Sequence, residues 1–158
     1  MSFELTKESK LVIDELLTRY PNKRAAALPV LHVVQKQHGY IPAEAEPLVA
    51  EILEVPPVKI REVLMFYTLF LQKEIGKNHL QVCRSVSCWL RGADRIIKQI
   101  NEKLGIHDGE TTSDKQFTLT EVECLGDCEH APMMQLNDDY IGDLTAEKVD
   151  EIIGKKGQ

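Results

Sequence analysis

The sequence predicts an α+β protein in two parts: a helical bundle domain over residues 1–76 and a sheet-containing domain over residues 77–158. Two changes along the chain predict this division. Apolar residues recur every three or four positions through the first part, which is typical of amphipathic helices. Near residues 75–78 the period becomes two, which is typical of strands. The four cysteines of the chain all lie in the second part.

The composition is that of a folded, acidic chain. Of its 158 residues, 43% are hydrophobic, and the formal net charge is −6. This apolar fraction is enough for a core, and the negative charge offers no attraction to phosphates or anionic lipid. The sequence starts with neither a basic apolar leader nor an Arg-rich amphipathic one, and no apolar run reaches about 18 residues. We therefore expect a cytoplasmic chain with no nucleic-acid partner and no direct membrane insertion.

Four helices are expected in the first part. Thr6 is a suitable N-cap for the first, and Gly39 a left-handed stop for the second, which tolerates Pro29 in its first turn. Pro42 suits the first position of the third, and Pro56-Pro57 separates the third from the fourth. The apolar stripe expected on the first helix consists of Val12, Ile13, Leu16, Leu17 and Tyr20.

The third and fourth helices also have the spacing of a helix-turn-helix. The second helix of this pair has only Lys59 and Arg61 as cations, and Glu62 offsets them. DNA binding needs a basic surface that neutralises phosphates. We therefore favour apolar packing for these helices and keep a zinc-stabilised helix-turn-helix interaction module as a remote alternative.

The second part is predicted to run strand, helix, strand, hairpin, helix. The first strand leads into Cys83, and the second, over residues 117–122, leads into Cys124. A helix is expected over residues 89–104, a hairpin over 133–141 and a last helix from Thr145 to Gly154, followed by a frayed tail. Because strand–helix–strand units close as right-handed parallel crossovers, this order gives a mixed four-stranded sheet of the thioredoxin-like type.

The cysteines form two close pairs, Cys83-x4-Cys88 and Cys124-x3-Cys128. In a reducing cytosol such pairs are more typical of metal or redox sites than of structural disulfides. Thiolates select soft metals, so zinc and a 2Fe-2S cluster are the main candidates, with a dithiol redox enzyme as a third. Zinc knuckles and dithiol sites both favour a C-x2-C spacing. The wider spacing here favours the cluster, while zinc and dithiol chemistry stay open.

Several neighbouring residues bear on this choice. Gly126 would let a backbone amide approach a cluster sulfur, and a helix opening just after Cys88 would direct its positive end at the cluster. We expect His130 to be solvated or hydrogen-bonded, and not to be a ligand. Arg84 would oppose the potential-lowering effect of the nearby carboxylates. Those carboxylates are Glu121, Glu123, Asp127 and Glu129, and the expected core residues near the site are Trp89, Met133 and Met134.

Short motifs over nearly the whole chain resemble one known family. In the first part they are Tyr20-Pro21, Arg24, Leu28-Pro29, Leu31-His32, His38-Gly39-Tyr40-Ile41 and Phe66-Tyr67-Thr68. In the second they are Val82-Cys83, Ser87-Cys88, Arg91-Gly92-Ala93, Glu123-Cys124-Leu125-Gly126, Cys128, Ala131-Pro132 and Asn137-Asp138-Asp139-Tyr140. Together they resemble the thioredoxin-like 2Fe-2S subunit, or E-type subunit, of NADH:quinone oxidoreductase (respiratory complex I).

The resemblance implies one 2Fe-2S cluster with Cys83, Cys88, Cys124 and Cys128 as its ligands, in a thioredoxin-like 2Fe-2S ferredoxin domain. It implies an electron-transfer subunit of an NADH dehydrogenase complex that has no complete active site of its own. FMN and NADH are expected on a partner subunit, with other peripheral-arm subunits as further partners and a cytoplasmic location on the membrane-bound complex. The equivalent subunit of an NAD-dependent hydrogenase or formate dehydrogenase is the alternative.

Two residues depart from the family pattern. Asp127 replaces a small residue, and Arg84 replaces an uncharged polar one. Both are charged and lie next to cysteines, so they affect the expected potential of the cluster more than its existence.

Overall fold

The computed structural model describes residues 3–157. The chain divides into two compact units, Met1–Glu74 and Ile75–Gln158. No helix in the described range is long and apolar enough to cross a membrane. The helices of the first unit are α1 (Lys7–Thr18), α2 (Ala27–His38), α3 (Ala45–Leu53) and α4 (Pro57–Phe66). A single 3-10 turn, Lys23–Ala26, precedes α2.

The helix ends in this unit follow local chemistry. The Thr6 hydroxyl accepts a hydrogen bond from the Ser9 N–H at 3.1 Å, and Gly39 adopts a left-handed conformation with φ 89°, so both predicted signals are confirmed. The predicted start at Pro42 is wrong. The Ala45 N–H instead donates to the Pro42 carbonyl at 2.9 Å, which makes a turn before α3 begins.

The predicted stripe on α1 is partly wrong. Ile13 is fully buried and Leu17 is half-buried, but Val12 and Tyr20 are exposed. Helix α1 ends at Thr18, so Tyr20 lies beyond its last turn and is not part of its apolar face. The core comes from all four helices and includes Ile13, Val30, Leu31, Val34, Val49, Leu53, Ile60 and Leu64.

The second unit has the predicted mixed four-stranded sheet, in the order β2-β1-β3-β4. β1 and β2 are parallel, whereas β3 is antiparallel to β1 and to β4. One side of its core is built from Leu80, Val82, Ile96, Ile100, Leu119, Met134 and Val149. The elements are β1 (Asn78–Cys83), α5 (Val86–Leu90), α6 (Ala93–Leu104), β2 (Phe117–Val122), β3 (Met134–Leu136), β4 (Asp139–Ile141) and α7 (Ala146–Lys156), with a 3-10 turn at Cys128–His130.

Two helix predictions in this unit are corrected. The expected helix over residues 89–104 is broken at Gly92, whose φ of 96° is left-handed and interrupts the helix between α5 and α6. Since α5 begins at Val86, Cys88 lies inside it, so no helix opens just after that cysteine. The last helix runs through Gly154 to Lys156, because Gly154 takes no left-handed stop conformation; Gln158 of the expected tail is outside the described residues.

Candidate iron-sulfur site

Both cysteine pairs leave the sheet at the same edge. β1 and β2 run parallel with Cys83 opposite Val122, so Cys124 follows only two residues beyond that pair. The carboxyl ends of parallel neighbours lie side by side. The prediction that both pairs follow strand ends is therefore confirmed, and the parallel pairing brings the two cysteine loops together.

The first pair is buried. Cys83 and Cys88 are 3% and 2% exposed and share a small apolar cluster with Ala131 and Met133. The Cys83 N–H donates to the Met133 carbonyl at 3.1 Å, and the Cys83 thiol donates to the Glu123 carbonyl at 3.2 Å. The two hydrogen bonds hold Cys83 at the end of β1, and the apolar cluster packs against both cysteines.

The Cys88 thiol is held in its protonated form. Burial, a hydrogen bond with Cys83 and the charges of Cys83 and Cys128 together raise the pKa of this thiol to about 11. Cys88 therefore keeps its proton at neutral pH unless a metal ion displaces it.

The second pair is exposed. Cys124 and Cys128 lie on the segment of residues 123–128, which we call the outer cysteine loop, and both are free thiols, as are Cys83 and Cys88. Gly126 has a φ of 84°, a left-handed value that a side chain would strain, and this gives a local reason for glycine there.

Charged side chains surround the outer cysteine loop. Arg84 Nη2 lies 2.8 Å from Glu123 Oε1, and Arg84 Nη1 lies 3.9 Å from Glu121 Oε2. Asp127 Oδ1 is 2.8 Å from His130 Nδ1, and this contact raises the pKa of His130. The expectation that His130 is a hydrogen-bonded histidine is confirmed.

Two contacts at this loop escaped the sequence analysis. The Tyr140 hydroxyl donates to the Leu125 carbonyl, in the middle of the outer cysteine loop, at 2.9 Å. Gly142 packs just beyond the loop, where an added Cβ would meet His130 Cβ at 2.2 Å. The sequence does contain one indication of these contacts. The hairpin follows the second cysteine pair closely in sequence, so β4 is expected to lie near the loop.

The apolar residues near the site divide into inner and outer ones. Met133 and Met134 are each 1% exposed, so their predicted place in the core is confirmed. The prediction for Trp89 is wrong, since it is 59% exposed. Helix α5 has only five residues, and with Cys88 turned inward its large apolar neighbours Val86, Trp89 and Leu90 face solvent.

The donor set fits a 2Fe-2S cluster. Four free thiols, two from each loop, are the ligand type that such a cluster uses, with two thiolates on each iron. Within residues 3–157, no group of three or more His, Cys, Asp or Glu side chains is arranged to hold a metal ion. The cysteines are arranged as a buried pair and an exposed pair.

The chain is similar to known proteins of one family. Residues 13–156 match the family model described as thioredoxin-like [2Fe-2S] ferredoxin. The E-type subunit of the NADH-quinone oxidoreductase of Rickettsia bellii is 47% identical over 157 residues, which is 98% of this chain and 94% of that protein. An E-type subunit of the same kind of enzyme in Rhizobium meliloti is 46% identical over 89% of this chain and 84% of its own length.

A solved structure shares the fold. The NAD+-reducing [NiFe]-hydrogenase in the H2-reduced state superimposes with a TM-score of 0.72 at 21% identity, over 84% of this chain and 22% of the hydrogenase chain. At this identity the likeness concerns the fold alone. The sequence relatives and the family model together show that the chain belongs to the thioredoxin-like [2Fe-2S] ferredoxin family and, within it, to the E-type subunits of NADH-quinone oxidoreductases.

Proposed function

We propose that this chain is the electron-transfer subunit of an NADH-quinone oxidoreductase and holds one 2Fe-2S cluster on Cys83, Cys88, Cys124 and Cys128. When bound, the cluster accepts and returns one electron at a time. FMN and NADH bind to a partner subunit with which this chain exchanges those electrons. The assembly forms part of the cytoplasmic peripheral arm of the complex.

The observation that carries the proposal is the 47% identity with an E-type subunit over 98% of this chain. It extends over residues 1–76 as well as 77–158, so it reflects more than a shared cysteine domain. We propose the second of these segments as the cluster domain and the first as a unit that contacts other subunits. The likeness to the hydrogenase gives no comparable support to the hydrogenase or formate dehydrogenase alternative.

The two pairs have different tasks in this proposal. Cys83 and Cys88 hold the inner side of the site, where Ala131 and Met133 keep water away. A dry, apolar surround strengthens the effect of each nearby charge on the site. The outer pair holds the solvent side, at the surface that a partner can reach.

The exposed face of α5 supports contact with the flavin-binding subunit. Val86, Trp89 and Leu90 are 69%, 59% and 71% exposed and flank Cys88 in sequence. Grouped exposed apolar residues mark protein interfaces, and tryptophan is enriched among the residues that dominate binding energy. A partner seated here covers the helix that carries one of the four cysteines.

Co-expression with the flavin-binding subunit of its own complex tests this function. We expect a stable complex in which NADH reduces the iron-sulfur chromophore of this chain. Trp89→Ala should weaken the complex, whereas Lys98→Ala, at an exposed charged position of α6 in the same unit, serves as the control. Failure of NADH to reduce the cluster in the assembled complex would overturn the proposal, as would exclusive assembly with a hydrogenase.

A further inference from the structure

We propose that Tyr140 and Arg84 are positioning residues that fasten the outer cysteine loop and thereby set how long a cluster stays bound. The inference rests on the proposed function only in assigning a cluster to this loop. Neither residue is a candidate ligand. Each acts through a contact with the loop that carries Cys124 and Cys128.

The outer cysteine loop needs such support because it is irregular. Within residues 3–157, its backbone–backbone hydrogen bonds lie at its two ends. The Ser85 N–H donates to the Glu123 carbonyl at 3.1 Å, and the Ala131 N–H donates to the Cys128 carbonyl at 3.4 Å. The stretch between these ends belongs to no helix or strand, so side chains must hold it.

Tyr140 holds the middle of the loop. Its hydroxyl reaches the Leu125 carbonyl at 2.9 Å, one residue beyond Cys124. Tyr140 belongs to β4, one of the two edge strands of the sheet, where it is in register with Gln135 of β3. The bond therefore joins an irregular segment to the regular sheet.

Arg84 holds the start of the loop. It directly follows Cys83, and its Nε and Nη2 lie 3.2 and 2.8 Å from the same Glu123 oxygen. Glu123 directly precedes Cys124, so this ion pair joins the two cysteine loops at neighbouring ligands. Because both side chains are largely exposed, the pair contributes less than a buried one would.

The first pair needs no such support, since Cys83 ends a strand and Cys88 lies in a helix, both against the core. Loss of Tyr140 or Arg84 should therefore loosen one side of the site only. Opening of the outer loop would give a competing chelator access to the two thiolate ligands on that loop.

The test uses the full chain, reconstituted anaerobically, with excess iron chelator and the rate of chromophore loss as readout. Tyr140→Phe should release the cluster roughly threefold to tenfold faster, as expected for one hydrogen bond. Arg84→Gln should do so roughly twofold to threefold faster, as an exposed ion pair allows. Tyr20→Phe, at an exposed position of the first unit, and Arg95→Gln, at an exposed position of α6, should release at the wild-type rate.

A second readout needs no cluster. In the iron-free chain, hydrogen exchange of the Ser85 and Ala131 amides reports on the two ends of the outer loop, and it should accelerate in Tyr140→Phe. The thermal midpoint should stay at the wild-type value, which separates positioning from a general structural role. If both variants released the cluster at the wild-type rate with unchanged amide protection, the inference would be overturned, even if the wild-type chain binds a cluster as proposed.

Discussion

The two cysteine pairs are held in position by different parts of the structure. Cys83 and Cys88 lie on a strand end and a short helix, are nearly inaccessible to solvent and share an apolar cluster. Cys124 and Cys128 lie on an exposed loop that is held by a few side-chain contacts. The first pair is positioned by the fold itself, and the second by local chemistry around it.

Because of this difference, we expect substitutions near the two pairs to have different effects. Substitutions in the core should affect the inner pair through the stability of the whole domain. Substitutions around the outer loop should change cluster retention and potential while the sheet persists. The largest expected effect is loss of the cluster when a cysteine is replaced, and the smallest is a weak dependence of stability on pH.

Replacement of any of the four cysteines with alanine should have the largest effect. We expect the cluster content to fall to near zero in each variant, because the remaining three thiolates leave one iron short of a ligand. The helices of residues 1–76 should stay folded, as followed by circular dichroism. Iron content at the wild-type level in all four variants would refute the ligand assignment.

Gly142→Ala should destabilise the second unit. An added Cβ would meet His130 Cβ at 2.2 Å and the His130 carbonyl oxygen at 2.8 Å, so the backbone after the outer loop must move. Overpacking of this kind costs about 1–3 kcal/mol of the free energy of unfolding, measurable by denaturant titration.

Gly154→Ala is the matched control for that variant. Gly154 lies within α7 with open space around its Cα, so alanine should stabilise the helix by up to about 1 kcal/mol. Equal stabilities of the two variants would show that Gly142 does not support the outer loop.

Arg84→Gln should lower the reduction potential of the cluster. Removal of a positive charge beside Cys83 leaves the added electron less stabilised among Glu121 and Glu123. The shift should stay within about 60 mV, a tenfold change in a one-electron equilibrium, since the side chains are exposed. Glu123→Gln should shift the potential upward in the same redox titration, and equal shifts in both variants would contradict a charge effect.

His79 should make the stability of the second unit weakly sensitive to acid. Burial lowers its pKa below the ordinary value of 6.5, and its ring is hydrogen-bonded to Thr120 at 2.8 Å. The unfolded chain therefore takes up a proton first, and stability falls as pH decreases from about 6.5 toward the lower pKa of the folded state. The slope cannot exceed about 1.4 kcal/mol per pH unit. His79→Gln should flatten this part of a stability–pH profile, while an unchanged profile would exclude the effect.

The sequence predicted those features that depend on local periodicity. The period-two strands at Leu80 and Leu119 and the cap at Thr6 are where the pattern puts them. It missed the break at Gly92, because the apolar spacing continues through it and only the backbone conformation shows the interruption.

The sequence indicates the cysteines of the candidate site but not the contacts that surround them. Two close pairs after strand ends already indicated one shared centre. The contact from Tyr140 to Leu125 joins residues fifteen positions apart, and the outward turn of Trp89 follows from the short length of α5. Both depend on how the hairpin and the helix pack, which no periodicity encodes.

The metal content of the anaerobically purified chain tests the central claim most directly. We predict a red-brown protein with about two irons and two sulfides per chain, which gives an electron paramagnetic resonance signal on reduction. A colourless protein with one zinc per chain and no sulfide would contradict it.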